Sequence, residues 1–94
     1  MIDRKFKILA VNPVNGKTYT EDTALLLCAK DAAVPAALAA YANECSRIGA
    51  NPEHIESVWL LHDRVVDYQK TIGGSRIPDT VGAEIPRCLR GEGI

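Results

Sequence analysis

The run Gly49-Ala50-Asn51-Pro52-Glu53 leaves this chain little freedom. Glycine suits the left-handed residue that ends one helix, and asparagine caps the next. Proline is preorganised for a first helical position, and the acid answers the positive end of the helix dipole. Two helices joined so tightly must lie antiparallel, so an αα-hairpin is the frame the rest has to fit. The downstream helix is predicted to run to about Lys70. At about 100° per residue, Ile55, Val58, Trp59, Leu61, His62, Val65 and Val66 share an arc of roughly 160°, the core face of a central helix. The upstream helix is predicted to start at Asp31 as N-cap, with Pro35 in its first turn, where a missing N–H costs little. Its seam is read as Val34, Leu38, Tyr41, Cys45 and Ile48. Ala36, Ala37, Ala39 and Ala40 cover much of the remaining circumference and would let a neighbour come close.

Ahead of these helices, Lys5 to Val11 is rich in strand formers, Asn12-Pro13-Val14-Asn15-Gly16 is a turn, and Lys17 to Thr20 returns as a second strand. A β-hairpin with a four- or five-residue loop follows, its Phe6, Ile8 and Ala10 facing inward. Thr18 or Thr20 is read as the cap of a further short helix through Ala24-Leu25-Leu26-Leu27-Cys28-Ala29-Lys30, apolar on nearly every side and therefore expected to be enclosed. Beyond Lys70, Gly73-Gly74, Ile77-Pro78, Gly82, Ile85-Pro86 and Gly91 oppose helix and predict an extended arm, with Ile77, Val81, Ile85 and Leu89 as apolar anchors. The predicted fold is thus α+β. An N-terminal β-hairpin packs on three helices, the second and third forming an antiparallel pair. Residues 1–72 make one compact domain, and 73–94 an extended arm.

At 94 residues and 47% hydrophobic content, the chain has material for one core, and a net charge of -1 excludes a general polyanion binder. No apolar run approaches the ~18 residues of a membrane span, and the N-terminus lacks a signal-peptide pattern, so a cytoplasmic location and no membrane partner are expected. Cys28, Cys45 and Cys88 fit neither a disulfide framework nor a zinc knuckle, and read as reduced thiols.

His62, on the apolar arc, could titrate near neutral pH and act as a base or switch, but reads better as a core histidine whose ring reaches a carbonyl or Tyr41. His54 has no spaced ligands beside it, and neither a metal nor a cofactor is expected. Cysteines amid apolar neighbours have raised thiol pKa values, which argues against Cys–His catalysis. No phosphate-binding or nucleophile-elbow motif occurs, so no catalytic residue is assigned and the chain is not expected to be an enzyme. Three surfaces remain. Lys70, Thr71, Gly73, Gly74, Ser75 and Arg76 could cradle a phosphate, or simply end a helix. The first twenty residues carry Arg4, Lys5, Lys7 and Lys17 against Asp3, a local charge of +3 that could follow nucleic acid, although a solvated outer face explains it better. On the back of the third helix, Glu56, Asp63 and Asp67 surround Leu60, an acidic ridge with an apolar anchor.

Asn12-Pro13-Val14-Asn15-Gly16, Thr20-Glu21-Asp22, Ala29-Lys30-Asp31-Ala32 and Asp63-Arg64-Val65-Val66 together resemble the small accessory proteins of lambdoid bacteriophages and enterobacterial prophages, over about residues 8 to 69. None of these pieces is a chemical motif, and no functional residue carries over. The resemblance implies a phage or prophage origin, a bacterial host cytoplasm and a non-catalytic task of binding a host protein complex, such as a defence or recombination factor. The expectation is therefore a small interaction protein that uses Leu60, Glu56, Asp63 and Asp67 together with Ile77, Val81, Ile85 and Leu89. The alternatives are an oligomer, joined through the alanine faces, that sequesters a nucleotide-like molecule at Lys70 to Arg76, and nucleic-acid binding through the hairpin.

Overall fold

A computed structural model describes residues 5–78. The chain divides into two compact units, one containing the residues up to Leu26 and the other formed by Leu27–Pro78. The anchors Val81, Ile85 and Leu89, and Cys88, lie outside the described residues.

In the first unit, β1 (Leu9–Val11) pairs antiparallel with β2 (Thr18–Thr20), in the register Leu9 with Thr20, Ala10 with Tyr19 and Val11 with Thr18. The turn is specified residue by residue. The side-chain oxygen of Asn12 accepts from the Val14 N–H at 2.9 Å, and that of Asn15 from the Lys17 N–H at 2.9 Å. Gly16 takes φ +74° and donates its N–H to the Asn12 carbonyl at 2.8 Å, a left-handed conformation that β-branched residues resist. Leu9 and Val11 project outward with the threonines, whereas Phe6 and Ile8 on the opposite face are half-buried and Ala10 is exposed.

Glu21 ties the base of this hairpin. Its Oε1 accepts the Ile8 N–H at 3.0 Å, and its Oε2 lies 3.5 Å from Lys7 Nζ. The Ile8 hydrogen bond first, and the Lys7 charge after it, hold the carboxyl below its ordinary value of 4.5. A group depressed in this way adds stability that is complete above its unfolded pKa and lost as pH falls through the lower folded one. Glu21→Gln is therefore expected to loosen the hairpin at neutral pH and to have no effect near pH ~2, read from the cross-strand amide contacts of Leu9 and Thr20 by NMR. Equal loosening at both pH values would show that the carboxylate charge is not what holds it.

The predicted first helix is absent, and this corrects the fold: the described residues contain one β-hairpin and two helices, not three. A single turn forms, with the Thr23 and Ala24 N–H groups on the Thr20 carbonyl and the Asp22 N–H on the Thr20 hydroxyl. It does not propagate. Seven residues fall short of the ~12 to 15 that sustain a helix without packing, and a segment apolar on nearly every side offers no single face to a neighbour. Leu25, Leu26 and Leu27 are instead 72%, 40% and 41% exposed, contrary to the expected enclosure.

In the second unit, α1 (Val34–Arg47) and α2 (Pro52–Thr71) form the antiparallel pair. The Asn51 side chain caps α2 by accepting the Glu53 N–H at 2.8 Å. Both helices end in the same device. Gly49 (φ +78°) donates to the Ser46 carbonyl and Ala50 to that of Cys45, while Gly73 (φ +80°) donates to Lys70 and Gly74 to Gln69. The core is the seam between the helices, with Val34, Ala42 and Cys45 facing Val58 and Val65. Tyr41 and Ile48, predicted within that seam, are 52% and 64% exposed. The stripe rotates toward Ala42, fully buried, because a methyl side chain admits the neighbouring backbone most closely.

The N-cap of α1 is Ala33 and not Asp31, and no side chain caps it. The main chain around Asp31 is already engaged. It forms a parallel bridge with Arg76, in which Ala32 donates to the Arg76 carbonyl at 2.7 Å and Arg76 donates to that of Lys30 at 2.6 Å. Gln69 Nε2 donates to the carbonyls of Ala29 and Asp31, both at 2.9 Å. The segment before α1 is thereby strapped to the end of α2.

Candidate interaction surface

The outer side of α2 is set by helical spacing. Val58 and Val65 turn into the seam, which places Leu60 roughly 140–160° around the helix from them. Leu60 is 62% exposed, and Glu56, Asp63 and Asp67 are exposed around it. Glu56 and Asp63 stand at i−4 and i+3 from Leu60, and Asp67 at i+4 from Asp63, so each is a surface neighbour of the next. Among the described residues, no cation pairs with Glu56 or Asp67. The acids repel one another, and Arg64, exposed at i+4 from Leu60 and i−3 from Asp67, answers them only in part. Trp59 borders the ridge on the other flank, 38% exposed, with Glu56 at i−3 and Asp63 at i+4. Its ring meets His62 edge-on at 5.4 Å between centroids, and His62 Nδ1–H donates to Asp63 Oδ1 at 3.0 Å. Sequence patterning assigned Trp59 to the core arc. Its place at the very rim of that arc, next to Asp63, was the available signal for exposure.

Ile77, the one arm anchor within the described residues, is 85% exposed.

The histidines sort differently from expectation. Tyr41 takes His54 as its partner and not His62, with the phenol oxygen 3.2 Å from His54 Nε2 and the rings edge-to-face at 6.0 Å. This contact links the two helices outside the core. A hydrogen bond with Cys45, and secondarily its charge, holds the Tyr41 phenol above its ordinary value of 10.0. Cys45 itself is buried, while Cys28 is half-buried. Among the described residues, no three His, Cys, Asp or Glu side chains are grouped so as to hold a metal ion.

The Lys70–Arg76 segment is the C-terminal cap of α2. The N–H groups of Gly73 and Gly74, which a phosphate would need, are donated to helix carbonyls, and Arg76 Nη1 donates to the carbonyl of Gly74 at 3.0 Å. The Thr71 hydroxyl donates to the Asp67 carbonyl at 3.0 Å. Lys70 and Ser75 remain exposed. No helix among the described residues is long and apolar enough to cross a membrane. Compared with known proteins, the chain matches no family model, no curated protein and no solved structure.

Proposed function

We propose that this chain is a small non-enzymatic interaction protein, phage- or prophage-encoded and acting in the bacterial host cytoplasm, that binds and modulates a host protein complex through the outer face of α2. The observation that carries the reading is Leu60, 62% exposed on the side of α2 away from the seam, amid three exposed carboxylates. An apolar side chain ringed by charge is the arrangement of an interface anchor, with burial supplying affinity and the charges steering approach and selecting the partner. The resemblance to phage accessory proteins gives the reading its biological setting.

The test pairs Leu60→Lys with Asp63→Ala in a tagged chain used to capture partners from bacterial lysate. Both positions are exposed, so stability is expected to stay within about 0.5 kcal/mol of the parent, while the proteins retained by the parent chain are lost. Unchanged capture would remove the ridge as the working surface.

A further inference from the structure

We propose that the outer face of α2 takes a basic partner segment, in which an arginine or lysine side chain lies against Trp59 between the carboxylates of Glu56 and Asp63 while an apolar residue covers Leu60. The proposal rests on the reading of this face as an interaction surface and names the chemistry of its occupant. Three features of the same helix turns support it.

The first is charge complementarity. Glu56 and Asp67 lack ion-pair partners among the described residues, and Glu56, Asp63 and Asp67 outnumber the neighbouring Arg64 and Lys70, so the face keeps an excess of negative charge. The second is the aromatic surface. Trp59 is 38% exposed and is the rim residue next to both carboxylates, and an indole face flanked by negative charge attracts a guanidinium or ammonium through both its quadrupole and the charges. The third is preorganisation. The edge contact of Trp59 with His62, and the hydrogen bond from His62 to Asp63, link the indole, imidazole and carboxylate in one chain, so less side-chain freedom is lost when a cation arrives. Trp59 and Leu60 point to opposite flanks of the acidic strip. A partner helix carrying leucine and arginine four residues apart matches that layout.

Trp59 is the only tryptophan in the chain, so its fluorescence reports on this face alone. The probe is a synthetic amphipathic helical peptide with leucine and arginine four residues apart, titrated against the full chain beside the same peptide with glutamine in place of every arginine. The arginine peptide is expected to give a saturable change, with affinity about tenfold above the glutamine peptide and falling with added salt. Glu56→Gln combined with Asp63→Asn should weaken it about fivefold, whereas Glu44→Gln, on α1, should leave it unchanged. Equal affinity for the two peptides, or no saturable change with either, overturns the proposal. Equal affinities that are both lost in Leu60→Lys would leave apolar docking on this face intact. A peptide failure in which the Leu60→Lys, Asp63→Ala chain still loses its captured proteins removes only the cation, and unchanged capture as well removes both readings.

Discussion

Replacing Ala42 with phenylalanine is expected to destabilise the helix pair by about 3 kcal/mol, near the upper end of what over-packing a rigid seam costs. Ala42 has no exposed surface, and Val34, Cys45, Val58 and Val65, the other buried residues of the seam, leave no large side chain that could withdraw to make room. The ring must push α1 from α2 or leave its own favoured rotamer, and neither capped helix end can bend to accommodate it. Denaturation followed by helix ellipticity should show a lower midpoint at unchanged slope, and heating a fall in Tm of more than about 10 °C. A Tm within a degree or two of the parent would mean that the helices do not meet at Ala42.

Gln69→Leu comes second, at about 2 kcal/mol. The side chain keeps its approximate size and loses the amide that donates to Ala29 and Asp31, leaving the half-buried Ala29 carbonyl without its donor and that of Asp31 with the Val34 N–H alone. The effect should be local. The amide hydrogens of Ala32 and Arg76, which form the bridge, are expected to exchange about 30-fold faster, the equivalent of 2 kcal/mol in an opening equilibrium. Amides in the middle of α2 should change much less. Uniform acceleration along the whole helical unit would instead make Gln69 part of the global core.

Legibility from sequence followed the locality of the determinants. The Asn51-Pro52-Glu53 start, the glycine stops at Gly49 and Gly73 and the Asn12–Gly16 turn are written in adjacent residues and can be read directly. Which side of α1 faces its neighbour could not be read that way. The apolar seam through Tyr41 and Ile48 and the alternative through Ala42 differ by a small rotation, and a contact between two backbones decides between them. The missing helix at Ala24 to Lys30 is the same lesson in reverse: its residues favour helix, but the packing that would sustain one is a property of the fold. The Asp31–Arg76 bridge joins residues far apart in the chain and leaves no local trace. On the candidate face, Leu60 and its acids follow from period alone because α2 is long and straightforwardly capped, while the exposure of Trp59 depends on how far the narrow α1 covers the arc.

Function through the ridge requires α2 to meet its partner with the side it turns away from α1. The most direct measurement places a photo-crosslinking amino acid at Leu60 and, in a second chain, at Ala40 on the exposed outer face of α1, and irradiates both in bacterial cells. Covalent adducts to a host protein from position 60, with none from position 40, are the expected result. Adducts from position 40 alone, or the same adducts from both, would contradict it.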